Sequence, residues 1–174
     1  SEWGWNRMYN YFVSGESRSY GYAQSNFHSF VASTDPEGWY DRLGNRRGFV
    51  VTTPDVVGQP SQIGTRLHRN NGNGLAHYRL VHVTGGGQYK VFAVVPGAVV
   101  RGTAELNSTV TATTDVELSG TTFEYTRRTT AGPNGTYTIR VAQPGEYQVA
   151  GATVTVPESA VLNGSTVEAG GGTG

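Results

Sequence analysis

The run Lys90-Val91-Phe92-Ala93-Val94-Val95-Pro96-Gly97-Ala98 divides this chain into two textures. Five apolar residues in a row, Val91 to Val95, read as a strand, and Pro96-Gly97 stops it. Upstream, strand-like and helix-like stretches alternate. Downstream, short Thr- and Val-rich strands follow one another with turns about 8–12 residues apart, the spacing of a small β-sandwich. This reading predicts an α+β chain. Residues 1–97 form a mixed α/β domain, 98–156 a small all-β, sandwich-like module, and 157–174 a flexible tail.

Working outward from the boundary, Tyr78 to Thr84 and Gln88 to Val95 flank Gly85-Gly86-Gly87 and predict a hairpin. The Gly run reads as a turn, because no Lys-Ser/Thr and no helix start follows it as a phosphate loop requires. Residues 54–76 are mostly loop, with a short helix near Ser61 to Arg69. Gly48-Phe49-Val50-Val51-Thr52-Thr53 reads as a buried strand. Before it, Asp35 caps a helix, Pro36 takes its first position, Glu37 meets the positive end of its dipole, and Gly44 ends it. Tyr20 to Ala32 carries Ala23, Phe27, Phe30 and Val31 at helical spacing. Beyond the boundary, strands are expected near 98–103, 108–117, 122–129, 136–142 and 146–155. Pro133-Asn134-Gly135 and Gln143-Pro144-Gly145 are read as the last turns.

Composition removes several function classes. With 13 basic and 13 acidic residues the net charge is zero, which gives no electrostatic case for nucleic acid or an anionic membrane. The absence of Cys excludes disulfide and thiol chemistry. His28, His68, His77 and His82 show no metal-ligand spacing; each reads as a satisfied or surface histidine. No Gly-x-Ser-x-Gly elbow frames a serine nucleophile. No apolar run approaches the ~20 residues that span a bilayer. The chain opens at Ser1 with neither Met nor leader, which predicts a piece of a longer protein. Asn107-Ser108-Thr109, Asn134-Gly135-Thr136 and Asn163-Gly164-Ser165 are glycosylation sequons in predicted turns or tail, and hint at an exterior location.

The first 32 residues are dense in aromatics, and on composition they suit a core cluster as well as a binding surface. Their order adds more. Ser1-Glu2-Trp3-Gly4-Trp5-Asn6-Arg7-Met8-Tyr9-Asn10-Tyr11-Phe12-Val13, then Gly15-Glu16-Ser17-Arg18, resembles the start of the extracytoplasmic C-terminal domain of archaeal oligosaccharyltransferases. Asp41-Arg42-Leu43, Phe49-Val50-Val51, His77-Tyr78-Arg79 and Lys90 to Ala98 continue the likeness, which is closest to divergent relatives from halophilic archaea. It covers most of the chain. Within the β module, Gly135, Tyr137, Ile139, Pro144, Gly145, Tyr147 and Val149 resemble the last hairpin of transthyretin-like and carboxypeptidase-regulatory-like modules.

The resemblance implies a function that the spacing alone does not. The family's catalytic subunit moves a lipid-linked glycan onto Asn. A Trp-Trp-Asp-Tyr-Gly signature after its last membrane helix helps recognise the Ser or Thr two residues beyond that Asn. Here the five positions after Ser1 are Glu2, Trp3, Gly4, Trp5 and Asn6. Trp3 matches, Trp5 is an aromatic replacement, and Gly4 stands where the Asp belongs, leaving Glu2 or Asn6 as substitutes. The resemblance thus implies an outer domain on the extracytoplasmic face of the cell membrane, with Glu2, Trp3, Trp5, Asn6, Arg7 and Tyr9 lining the acceptor-peptide side. It implies no cofactor and no catalytic residue in this chain, and a Mn or Mg ion held by the parent's membrane part. Acceptor polypeptide and lipid-linked oligosaccharide would be reached through that parent. The rival is a non-catalytic, surface-layer-type protein whose Trp and Tyr residues hold sugar or peptide.

Overall fold

The computed structural model describes residues 20–43 and 48–170. Helix α1 (Tyr20–Ala32) and helix α2 (Pro36–Arg42) lead into strand β1 (Gly48–Thr52). A 3-10 turn at Pro54–Val56 and helix α3 (Ile63–His68) precede β2 (Tyr78–Val83) and β3 (Lys90–Val94). Then come β4 (Ala98–Thr103), β5 (Thr109–Leu118), β6 (Thr121–Thr130), β7 (Thr136–Val141), β8 (Gly145–Val149) and β9 (Ala152–Val156). Helix α4 (Glu158–Asn163) and β10 (Thr166–Glu168) close the chain. The fold is α+β.

The start of α2 follows its sequence signals. Asp35 Oδ1 accepts from Gly38 N at 2.9 Å, with Pro36 at the first turn and Glu37 beside it. Gly44, the expected stop, lies outside the described residues. The first core gathers Phe30, Val31, Trp39, Tyr40, Ile63, Leu67, Leu75, Tyr78, Leu80, Phe92 and Val94. It packs the helices on a three-stranded antiparallel sheet of order β1-β3-β2. The expected hairpin of β2 and β3 is present, with a bulge between Leu80 and His82. The expected buried strand at 48–53 is instead an edge strand. Its pleat turns Thr52 fully inward, while Phe49 and Val51 stay 43% and 38% exposed.

The second core takes Val95, Ala98 and Val100 together with inward residues of β5 to β9 and α4. Two sheets share it, β10-β4-β7 and β6-β5-β8-β9. Three sequence expectations fail here. Residues 136–142 and 146–155 were expected to form a final hairpin, yet β7 pairs with β4 and β8 pairs with β5 and β9. Gln143-Pro144-Gly145 is therefore a crossover between sheets, closed by the Tyr147 hydroxyl donating to the Gln143 carbonyl at 2.7 Å. A period of two fixes which side chains face the core and leaves the hydrogen-bonding partner open.

The expected single strand 146–155 is two strands. Ala150 (φ 48) and Gly151 (φ 81) make a two-residue turn with both residues left-handed, the hairpin geometry that matches strand twist. The expected tail 157–174 is ordered through Gly170. Helix α4 buries Ala160 and Val161, and β10 runs parallel to β4 with Val167 opposite Val100.

Candidate functional site

Glu2, Trp3, Trp5, Asn6, Arg7 and Tyr9 lie outside the described residues. What the structure defines is the anchor of that segment. Helix α1 ends in Phe30 and Val31, both buried. The Phe30 ring meets Trp39 edge-on at 5.7 Å and Tyr78 at 5.8 Å. Ile63 N donates to the Ser33 carbonyl at 2.8 Å, tying the end of α1 to the start of α3. A Cβ on Gly64 would overlap the Val56 carbonyl oxygen and come 3.1 Å from Val31 Cβ, so only Gly permits this approach. The C-terminal end of α1 is thus fixed in the first core.

A polar seam joins the two cores. The loop 70–76 is its axis, and most of its partners come from the β module. Tyr125 donates its hydroxyl to the Leu75 carbonyl at 2.6 Å and accepts from Ala142 N at 2.9 Å. Asn73 Oδ1 accepts from Thr126 N at 2.8 Å. The Gly74 carbonyl accepts from Arg66 Nη2 at 2.8 Å and also from Arg127 Nη1. Arg127 Nε donates to the Arg140 carbonyl at 3.0 Å, and Arg140 Nη1 reaches the Pro96 and Gly97 carbonyls at 2.8 and 3.0 Å. Backbone carbonyls thus hold three guanidinium groups in place. Burial pushes the Tyr125 phenol well above its ordinary range, which keeps it a proton donor. Burial also lowers the Arg66 guanidinium, with Arg127 adding like-charge repulsion.

His77 sits at the edge of this seam. Its ring stacks on Tyr40 with centroids 3.6 Å apart and planes nearly parallel, at 6°. Nδ1 faces the Val95 carbonyl at 3.0 Å and therefore carries a proton, while Nε2 lies 3.5 Å from Glu37. Burial lowers the His77 pKa, outweighing the Val95 and Glu37 contacts that raise it. His68 is satisfied by Thr52 Oγ1 at 3.0 Å, and burial plus the Lys90 charge lower its pKa. His82 and His28 are exposed. Among the described residues no three His, Cys, Asp or Glu side chains are grouped to hold a metal ion.

An open groove of about 460 Å³ lies where β5 and β8 diverge, lined by Thr113, Thr114, Asp115, Glu124, Glu146 and Gln148. No aromatic ring lines it. Asn107, Asn134 and Asn163 are all exposed. The sequence reading missed the arginine seam. One signal was present: Arg127 has the strand parity of Phe123 and Tyr125, the inward side of β6.

The fold has known relatives. Residues 97–167 match the family model described as the archaeal glycosylation protein B long peripheral domain. The likeness to the C-terminal domain of archaeal oligosaccharyltransferases is borne out. The family match begins at the Pro96-Gly97 boundary and ends inside β10, so it includes much of the stretch expected to be tail. Solved structures of oligosaccharyltransferase AglB from Archaeoglobus fulgidus share the fold. The one with an inhibitory peptide and dolichol-phosphate superposes with a TM-score of 0.54 at 19% identity over 63% of this chain. The one tethered to an acceptor peptide containing an NVT sequon gives 0.53 at 19% over 63%. A third, in complex with Zn and sulfate, gives 0.53 at 16% over 72%. The matched region is 22% of the AglB chain in the first two and 29% in the third. No curated protein matches the chain significantly. No helix among the described residues is long and apolar enough to cross a membrane.

Proposed function

We propose that this chain is the outer domain of a membrane-bound oligosaccharyltransferase and shapes the acceptor-peptide side of an active site built mainly by the parent's membrane part. The observation that carries the reading is the family match over residues 97–167, joined to a fold shared with AglB structures solved with acceptor and inhibitory peptides. The domain would stand on the extracytoplasmic face of the membrane, with lipid-linked oligosaccharide and acceptor polypeptide reached through the parent.

The division of labour follows from the residues. Glu2, Trp3, Trp5, Asn6, Arg7 and Tyr9 are the acceptor-facing set. Trp3 and Trp5 would wall the peptide, and Glu2 or Asn6 would accept the hydroxyl proton of the sequon Ser or Thr, in place of the Asp that Gly4 lacks. Helix α1, whose C-terminal end is fixed in the first core, would join this set to the rest of the domain. Acidic side chains in the parent's membrane loops would hold the divalent metal, Mn or Mg.

The test is a transfer assay on the full-length parent in native membranes. A fluorescent peptide with one Asn-x-Thr sequon should gain the mass of one lipid-linked oligosaccharide, and its Asn-x-Ala counterpart should not. No transfer, together with micromolar glycan binding by the isolated chain, would instead support the sugar-binding rival.

A further inference from the structure

His77 is held in the seam by three contacts. Its carbonyl accepts from Val95 N at 2.9 Å, and its Nδ1–H donates to the Val95 carbonyl at 3.0 Å. Its ring lies face to face with Tyr40. Nε2 is the remaining ring nitrogen, and it lies 3.5 Å from Glu37 Oε2. With Nδ1 protonated, a neutral ring turns a lone pair toward that carboxylate, so two acceptors face each other. Glu37 is half exposed at the start of α2, and its other oxygen lies 4.0 Å from Arg127 Nη2. One carboxylate therefore stands between a ring nitrogen of the first core and a guanidinium of β6.

The charges around this ring come from several elements. Glu37 and Tyr40 belong to α2, and Asp41 acts on Tyr40 from the same helix. Arg127 comes from β6 and Arg140 from β7, and both oppose a proton on His77. Arg66 of α3 lies in the field of Arg127 and Glu37. Three guanidinium groups thus share one carboxylate, and the Val95 carbonyl completes the set.

We propose that His77 is a proton-operated catch on the seam: a proton on Nε2 draws Glu37 away from Arg127 and loosens the hold of β6 on the loop 70–76. The step is an acid–base reaction in which Nε2 takes a proton from solvent and the ring becomes an imidazolium. That cation donates to Glu37 Oε2 and lies over the Tyr40 face, where positive charge is favoured. It repels Arg127 and Arg140 at the same time. Arg127 then loses its share of Glu37 and gains a like charge. Because Arg127 donates to the Gly74 and Arg140 carbonyls, its displacement is felt next door, where Thr126 N donates to Asn73 Oδ1.

The direction follows from where the ring sits. Burial holds the folded His77 pKa below the ordinary 6.5, so an opened seam binds the proton more tightly than a closed one. The catch is closed at neutral pH and opens in mildly acidic surroundings. The inference stands on the seam alone and does not need the transferase reading.

The experiment is a pH titration of the full chain, followed by NMR of the histidine ring nitrogens and by amide hydrogen exchange corrected for its intrinsic rate. Between pH 7.5 and 5 the amides of Thr126, Asn73 and Leu75 should lose about five- to tenfold in protection, the effect of roughly one unit between the closed and opened His77 pKa. Amides of β8 and β9 should keep theirs. The loss should begin below about pH 6.5 and level off below the pH at which folded His77 gains its Nε2 proton. His77→Gln should abolish the loss, and His68→Asn should leave it intact. Glu37→Gln should move the His77 midpoint to lower pH. If a variant fails to fold, the unaltered chain decides, by whether the loss is confined to the seam and to that pH window. Flat protection at Thr126, an equal loss in β8 and β9, an undiminished loss in folded His77→Gln, or a His77 midpoint unmoved by Glu37→Gln would overturn the inference.

Discussion

The Tyr125 hydroxyl lies 2.6 Å from the Leu75 carbonyl, so a residue at the centre of β6 ends the hydrogen bonding of a loop fifty positions earlier. Both residues are fully buried, and the same hydroxyl accepts from Ala142 N. One phenol therefore satisfies a loop carbonyl and a crossover amide that water cannot reach.

Tyr125→Phe keeps the ring and removes the oxygen. It leaves two buried backbone groups unpaired and should cost about 2–3 kcal/mol. Urea denaturation should show a lower midpoint with an unchanged slope. A loss below about 0.5 kcal/mol would mean the hydroxyl is dispensable.

Arg127→Met keeps the apolar stem and deletes the donors to Gly74 and Arg140. Charge-assisted bonds of this kind contribute about 1.5–3 kcal/mol. The specific expectation is local: amide hydrogen exchange across 70–76 should speed up more than exchange in β5. Uniform acceleration would argue for a purely global effect.

Gly97 has φ 74, and a Cβ there would sit 2.5 Å from the Ala76 carbonyl oxygen. Gly97→Ala combines a left-handed backbone with that overlap and should cost about 2 kcal/mol or more. Gly85→Ala, where a Cβ meets nothing within 4 Å, is the control and should be near neutral. Thermal unfolding of the pair should separate by several degrees.

The buried histidines set a pH dependence. His77 and His68 both have folded pKa values below the ordinary 6.5, with burial as the main cause. The unfolded chain therefore binds more protons in the window below about 6.5. Stability should be full above that pH and decline as pH falls through it. The double change His68→Asn with His77→Gln should flatten unfolding free energy between pH 7.5 and 5. An equally steep decline in the double variant would assign the effect to other groups.

Local signals carried much of this fold. Asp35-Pro36-Glu37 starts α2 as its chemistry dictates, and Pro96-Gly97 ends β3 as a strand stop should, although Val95 before it already packs in the second core. Strand pairing was less legible. Tyr137, Ile139, Tyr147 and Val149 alternate cleanly, but alternation says only that each is inward; which sheet receives them is a tertiary choice. The turn Ala150-Gly151 lacks the Asn-Gly or Asp-Gly cue that announces a hairpin. In the last stretch, Gly and Ser mask the two residues that matter, Ala160 and Val161. The arginine seam depends on carbonyls supplied by a distant loop, which no local window contains. The proposed acceptor-facing set rests on family likeness alone, because aromatic composition suits a core equally well.

The account's central claim is that the aromatic segment serves glycan transfer. The most direct measurement is the transfer rate of the full-length parent carrying Trp3→Ala, with unfolding of the domain followed in parallel. The account predicts at least a tenfold loss of transfer to an Asn-x-Thr peptide, partial recovery with Trp3→Phe, and an unchanged unfolding transition. Unchanged transfer by Trp3→Ala in a folded parent would contradict it.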